Sequence, residues 1–351
     1  WFDQQAQLNM EGGTLRFIQT PAYAQAHGPL EPVQLLRADL RTTHIIFGER
    51  LLLRVFRRAE PCINPAVEMT EFLSGRGYRN VASLLGYAQW TEGSAEPVTL
   101  LGLFEHVGHQ GDAWTYALNH LERYLNALST DGHEDLPAPH SLFNSQMRTL
   151  GRRVARMHAV LAEQAAPPAF LPEPATDADV AGWREELRQR AEHARAALQD
   201  SLMRLRPETR QLAQLWLAQG AMLESRLEQL RPSAAWLVRT RYHGNLQLNE
   251  VLLRADDFLI TGFEGGAGYS PADCRSKHSV LRDVASLLRS FDLVRVAALE
   301  RASQARPQSR ERFEAVLLAW RDEAASALLR GYDEESIDEL LQPGLRAERA
   351  R

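Results

Sequence analysis

The sequence predicts an α+β protein with a strand-rich first part and a mainly helical second part. From Val33 to Val107, short apolar runs alternate with turn residues, as in an antiparallel sheet. After Gln110 the chain changes to long stretches of helix-forming residues. At 351 residues it is long for one compact core. We therefore divide it into a short N-terminal segment, a strand lobe and a helical lobe, spanning residues 1–32, 33–108 and 109–351.

The order of the elements makes this prediction more specific. The predicted strands are Thr43–Phe47, Leu51–Phe56, Ser83–Trp90 and Val98–Val107. One helix, Asn64–Leu73, interrupts them, with Asn64 as its cap and Pro65 at its first position. Helices are predicted at 112–128, at 144–164 and twice between 177 and 230, and a hairpin at 251–261. This two-lobed layout is typical of the protein-kinase-like fold.

Composition excludes several classes of protein and partner. The formal charge is −5, which argues against nucleic acid as a partner. No apolar run approaches the roughly 20 residues that a membrane crossing needs, so we expect no membrane partner and a cytoplasmic location. The two cysteines have no metal-binding spacing. Because the chain begins at Trp1, we expect it to be a fragment of a longer fusion protein.

Four segments resemble bacterial maltokinases, which are related to aminoglycoside phosphotransferases. The segments are Leu51–Arg58, Asn64–Glu68, Gly108–Asp112 and Leu281–Phe291. The resemblance covers roughly residues 33–300 and implies the protein-kinase-like fold. It also implies use of ATP and magnesium to make maltose 1-phosphate for glycogen-like glucan synthesis. Maltokinases are often fused behind a trehalose synthase domain, so a trehalose synthase domain or subunit is the implied partner.

This sequence departs from the maltokinase pattern at three positions that the resemblance identifies as catalytic. Arg54 replaces the lysine that grips the nucleotide phosphates and pairs with a helix glutamate, here Glu68. Asn245 replaces the aspartate that acts as base, and an amide cannot take a proton at neutral pH. Gly262 replaces the aspartate that binds magnesium. An Arg54–Glu68 ion pair is still expected.

Further positions follow from the same resemblance. Two carboxylates, Glu250 and Glu264, are candidate replacements for the lost metal ligand. Candidates for sugar binding are Lys277, Arg282 and Trp114, and candidates for structural anchors of the catalytic loop are His243 and Asp283. Ordinary solvent exposure, lobe packing or a helix-terminal charge would explain several of these residues equally well.

Three hypotheses therefore remain open. The leading one is a pseudokinase that stabilises, oligomerises or regulates a trehalose synthase, with no cofactor expected and homo-oligomers formed through that partner. The second is an active maltokinase with an altered metal site, which would use ATP and magnesium. The third is a sugar-sensing module that binds maltose or a glucan in its cleft.

Overall fold

The computed structural model divides the chain into two compact units. It describes residues 1–25, 28–38, 42–57, 59–130, 139–229, 238–266 and 269–335. One unit contains the described residues up to 171 and those from 240 onwards, and the other contains those from 172 to 239. The first unit includes the strand lobe and most of the helical lobe, and the lobe boundary at residue 109 stays a prediction.

A seven-stranded antiparallel sheet forms the small lobe and confirms the predicted α+β class. Its strands are β1 Gln7–Met10, β2 Gly13–Gln19, β3 Val33–Ala38, β4 Thr42–Phe47, β5 Leu51–Phe56, β6 Leu84–Thr91 and β7 Val98–Glu105. They lie in the order β1-β2-β6-β7-β5-β4-β3. The segment 1–32 therefore contributes two strands to this sheet, because β1 pairs with β2 and β2 pairs with β6 from Gly86 to Thr91.

The helix α1, Pro65–Gly75, lies between β5 and β6 in the chain, where the sequence predicts it. Its start is fixed by Asn64, whose side-chain oxygen accepts a hydrogen bond of 2.9 Å from the amide of Ala66. Val67 packs into a buried cluster whose other members are Phe56, Leu84 and Phe104. Burying each such side chain contributes about 2 kcal/mol, so this cluster fixes α1 on the sheet.

Long helices form the second half of the chain. They are α2 Ala113–Thr130, α3 Ser141–Leu161, α4 Asp177–Ser201, α5 Pro207–Ala218, α6 Gly220–Gln229, α7 Pro271–Arg275, α8 Leu281–Ala305 and α9 Arg310–Glu334. Helices α4 to α6 belong to the second unit. Among the described helices, each is too short or too polar to cross a membrane.

Two glycines bring α3 and α9 into backbone contact. A Cβ on Gly151 would lie 2.8 Å from the amide nitrogen of Tyr332, and one on Gly331 would lie 2.7 Å from the carbonyl carbon of Arg148. No larger residue fits at either position without a shift of the backbone. This contact holds α9 against α3 in the helical lobe.

A small hairpin holds Glu250 and Thr261 next to each other. Strands β10 Val251–Arg254 and β11 Asp257–Ile260 pair antiparallel, with Val251 opposite Ile260. The sequence predicts this hairpin at the same place. Because the register continues outward, Glu250 and Thr261 are also adjacent, with the amide of Thr261 bonded to the carbonyl of Glu250 at 2.9 Å.

A histidine pair between α2 and α3 predicts a pH-dependent stability. The Nε2 of His120 lies 2.9 Å from the Nδ1 of His140. Burial, followed by the charges of His140 and Arg123, lowers the pKa of His120 to about 4. A histidine in the unfolded chain titrates near pH 6.5, so only the unfolded state gains this proton as the pH falls from about 6.5 to about 4. The free energy of unfolding should therefore decrease in that window.

We expect His120→Gln to reduce this pH dependence by about 1–2 kcal/mol, the value allowing for partial exposure of the ring. Urea unfolding at pH 7 and at pH 4.5 gives the free energy of unfolding at each pH, and the difference between the two values measures the pH dependence. The exposed His193 on α4 supplies the control, because His193→Gln should leave the difference between the two pH values unchanged. An unchanged difference in His120→Gln would contradict the assignment.

Candidate functional site

The segment from His243 to Glu250, which we call the 243–250 loop, is anchored by Asp283. The carboxylate of Asp283 accepts hydrogen bonds from the amides of His243 at 2.8 Å and Gly244 at 3.0 Å. The Nε2 of His158 lies 3.2 Å from the same carboxylate. Burial alone would raise the pKa of Asp283, but the hydrogen bond and charge of His158 and the charge and amide of His243 lower it. A buried anion therefore fixes the loop.

Asn245 occupies the position at which the resemblance predicts a base. Its side-chain oxygen accepts a hydrogen bond of 2.8 Å from the Nε2 of Gln247. Its backbone amide nitrogen lies 3.3 Å from the Nδ1 of His243. The Nε2 of the same histidine lies 2.6 Å from the carbonyl oxygen of Thr261. A carboxamide can orient a hydroxyl group but has no proton affinity at neutral pH. Asn245 can therefore orient the hydroxyl group of a bound substrate but cannot remove its proton.

The carboxylate of Glu250 fills the space that a side chain at position 262 would need. A Cβ on Gly262 would overlap the Oε2 of Glu250 and would lie 2.6 Å from its Cδ. Gly262 also has a φ of +80°, which favours glycine. The side-chain nitrogen of Asn249 donates to the Oε1 of Glu250 at 3.1 Å. The sequence thus lacks a carboxyl group at position 262, but a neighbouring loop places one there.

Arg54 forms an ion pair with Glu264 across the cleft between the lobes. Its Nη2 contacts the Oε1 of Glu264, and both side chains are largely buried, with 14% and 16% of their surface exposed. The β4–β5 register places Arg54 opposite His44, whose Nε2 accepts from its Nε at 3.2 Å. The guanidinium also lies 5.5 Å from the ring centre of Phe104. The one cation predicted to grip phosphate is therefore bound to a carboxylate.

Glu68 has other partners than the one expected, so the predicted Arg54–Glu68 pair is wrong. Its carboxylate accepts from the Nη1 of Arg241 at 2.9 Å and from Arg275 at 3.0 and 2.9 Å. Arg241 is completely buried, and burial lowers the pKa of its guanidinium despite the charge of Glu68. Two arginines of the helical lobe thus neutralise the carboxylate of Glu68, and Arg54 pairs with Glu264 instead.

A stack of flat groups supports this buried pair. The ring of Phe170 lies 3.8 Å from that of Phe72 on α1, and the two are parallel within 1°. The guanidinium of Arg241 lies 4.8 Å from the centre of the Phe170 ring, and that of Arg76 lies 4.4 Å from Phe72. Cation–π contacts of this kind are stronger in buried sites. They give Arg241 a second stabilising contact besides Glu68.

A cavity of about 550 Å³ lies at this site. Arg54, Glu250, Gly262 and Glu264 all line it, so the structure brings these four predicted positions together. None of the three sugar-binding candidates is among the described residues that line the cavity. They lie elsewhere: Trp114 is half-buried on α2, Lys277 donates to the carbonyl of Pro168 at 3.2 Å, and Arg282 lies over the ring of Tyr242 at 5.8 Å.

The residues of the cavity do not fit a magnesium site. Glu264 is neutralised by Arg54, and position 262 has no side chain. Magnesium requires near-octahedral coordination by oxygen and usually one or two available carboxylates. Within the described part of the chain, no group of three histidine, cysteine or acidic side chains is arranged to hold a metal.

Comparison with known proteins identifies the fold. No protein-family model matches the sequence. The chain is 24% identical over 298 residues to a glucosamine kinase of Mycolicibacterium smegmatis, which covers 83% of the chain and 66% of the relative. It is 26% identical over 261 residues to a glucosamine kinase of Streptacidiphilus jiangxiensis, which covers 73% of the chain and 53% of the relative. It thus spans about half to two thirds of the relatives' lengths.

A glucosamine kinase solved with glucosamine, ADP and inorganic phosphate superimposes with a TM-score of 0.65 at 19% identity, over 95% of this chain and 84% of that one. The chain has the kinase-like fold of glucosamine kinase. The sequence similarity supports a place in the superfamily of kinase-like sugar kinases. In this fold, the 243–250 loop and the segment after β11 face the small lobe across the cavity.

Sequence reasoning missed the partners of the charged residues in this kinase-like fold. Arg241 and Arg275 bind Glu68, His44 binds Arg54, and His158 binds Asp283. The position of His44 follows from a β4–β5 hairpin with a turn at residues 48–50, which the sequence does suggest. Nothing in the sequence marks the other three, because each contact joins segments more than 100 residues apart.

The crowding of Glu250 against Gly262 predicts an energetic coupling between them. Gly262→Ala should lower the free energy of unfolding by about 2–4 kcal/mol, from the overlap and from the positive φ. In a Glu250→Ala background, only about 1–2 kcal/mol should remain, which is the backbone cost. Gly244→Ala is the matched control, because Gly244 has a similar φ of +84° but 3.7 Å of clearance. Its cost should be equal in both backgrounds, as a double-mutant cycle by urea unfolding will show.

Loss of the Glu68 charge should destabilise the fold strongly. Glu68→Gln leaves the buried Arg241 without a countercharge, and such a change costs about 3 kcal/mol. The matched control is Glu71→Gln on the same helix, where the side chain is exposed and little change is expected. Thermal or urea unfolding measures both. Equal effects of the two substitutions on the free energy of unfolding would show that the Glu68–Arg241 pair contributes little to stability.

Proposed function

We propose that this chain is a non-catalytic domain of the sugar-kinase type, a pseudokinase that acts through association with an enzyme. The observation that carries the proposal is the Arg54–Glu264 ion pair. Phosphoryl transfer depends on cations that stabilise the charge of the transferred group. Here the cation on β5 is bound to a carboxylate of the facing loop.

Two further features support the same conclusion. Asn245 cannot take a proton from a sugar hydroxyl, and the cavity residues do not fit magnesium. Each loss alone would slow the reaction by orders of magnitude, and together they affect the phosphate, the base and the metal. The fold is retained, as the buried Glu68 and Asp283 contacts illustrate. A retained fold with altered chemistry is what a scaffolding role needs.

The proposal also names the enzyme with which this domain associates. The resemblance to maltokinases favours a trehalose synthase, either fused to this chain or as a separate subunit, in trehalose, maltose or glycogen metabolism. The similarity to glucosamine kinases makes an enzyme of amino-sugar metabolism the other partner to test. Both predict that the domain affects the stability or assembly of the partner and not its chemistry.

One observation favours a second candidate, an active sugar kinase. The Glu250 carboxylate stands at position 262, where the family places its metal aspartate. If Arg54 released Glu264 on nucleotide binding, Glu250 and Glu264 would provide two carboxylates for a divalent cation. Glucosamine and maltose are the acceptors to test, from the relatives and the sequence resemblance respectively.

The experiment is a phosphoryl-transfer assay on the purified chain. It contains ATP, magnesium or manganese, and glucosamine or maltose, with formation of ADP and of the sugar phosphate both measured. We expect no turnover above a reaction without protein. Turnover that is lost in Glu250→Gln but kept in Glu314→Gln, on the exposed face of α9, would instead establish the second candidate.

Restoration of the family residues provides the matching gain-of-function test. The variant combines Arg54→Lys, Asn245→Asp and Gly262→Asp with Glu250→Ala, which removes the side chain that crowds position 262. The same variant without the change at Glu250 should restore less, because its carboxyl group would compete for the space at position 262. Turnover in the combined variant only would show that these positions account for the inactivity.

A further inference from the structure

The cavity keeps the size and the apolar walls of a small-molecule site. Its volume of about 550 Å³ lies within the range of roughly 300–1,000 Å³ that is usual for such sites. Apolar side chains from both lobes line it, namely Leu52, Val81, Phe104, Leu252 and Ile260. Their burial of a flat ring system would be favourable whatever the charge of the rest of the ligand.

The charged groups of the same cavity are mostly negative. Among the described residues that line it, four carry carboxylates, namely Glu105, Asp112, Glu250 and Glu264, and one, Arg54, carries a guanidinium. Arg54 is already bound to Glu264. The Nε2 of His44 accepts a hydrogen bond from the Nε of Arg54 at 3.2 Å. An entering anion meets a repulsive field that apolar walls strengthen.

We propose that this cleft binds a neutral or cationic ring compound of nucleoside size without a divalent metal, and that it discriminates against nucleoside triphosphates. The inference rests on the proposed absence of phosphoryl transfer and specifies the ligand of the same cleft. Adenosine is the appropriate probe, because a glucosamine kinase of the same fold was solved with ADP. The order of affinity is therefore adenosine, then AMP, then ATP.

Isothermal titration calorimetry of the full chain in EDTA, with adenosine, AMP and ATP, tests this order. We expect ATP to bind at least about tenfold more weakly than adenosine, because ATP carries several negative charges and each unit charge about 8 Å from a carboxylate changes affinity by about fivefold at an effective dielectric constant of about 40. Magnesium should strengthen ATP binding by less than about threefold. ATP binding as tight as adenosine in EDTA, or no binding of adenosine, would overturn the proposal.

Charge variants test the cause of the discrimination. Glu250→Gln and Glu264→Gln keep the shape of each side chain and should each strengthen ATP binding by about fivefold, with adenosine affinity unchanged. Glu314→Gln on α9 removes the same charge outside the cavity and should change neither affinity. If both cleft variants left ATP binding unchanged, the electrostatic explanation would be wrong.

The outcomes for the two proposals are separable. Turnover of ATP in the assay above would overturn the proposed function, whatever the order of affinities. Preference for ATP over adenosine without turnover would overturn only the ligand proposed here. Adenosine binding without turnover, with ATP excluded, supports both.

Discussion

The carboxylate of Glu68 is the contact on which the arrangement of the cleft depends. It lies on α1, which is fixed to the sheet of the small lobe, and it accepts hydrogen bonds from Arg241 and Arg275 of the helical lobe. A buried guanidinium needs a countercharge, so this carboxylate is committed to Arg241. Arg54 cannot share it and pairs with Glu264 instead. The state of the cleft therefore follows from a contact outside the cavity.

The aromatic stack extends this constraint to the linker that precedes the second unit. Phe170 lies between Phe72 of α1 and Arg241. The stack and the ion pair share Arg241, so displacement of α1 would expose both. Such a shared contact explains how α1 is held in one place while Arg54 of β5 pairs with Glu264 and not with Glu68.

The sequence predicted the elements of the fold better than their partners. The strand Leu51–Phe56 and the helix starting at Pro65 appear where the pattern of apolar residues and the Asn64 cap indicate them. These signals are local, and burial of one face determines them. The strands β1 and β2 were not predicted, because β1 is mostly exposed and β2 is half-buried along most of its length, so neither has a clear alternation of buried and exposed positions.

The candidate site shows the same division. Arg54, Asn245 and Gly262 could be identified from their place in recognisable segments. The position of the Glu250 carboxylate could not, because it depends on the register of β10 and β11 and on the φ of Gly262. Crowding of this kind leaves no pattern in the sequence. The pairing of Glu68 with Arg241 in place of Arg54 leaves none either.

The mutual exclusion of Glu250 and a side chain at position 262 has an evolutionary consequence. A protein that holds both residues does not readily accept an aspartate at position 262 by one substitution, because the new side chain meets the carboxyl group already present. If position 262 changed first, the intermediate would be less stable than the starting protein, whereas a first change at Glu250 would avoid the overlap. Substitutions at the two positions are therefore coupled, and the order in which they occur decides whether the protein passes through a crowded intermediate.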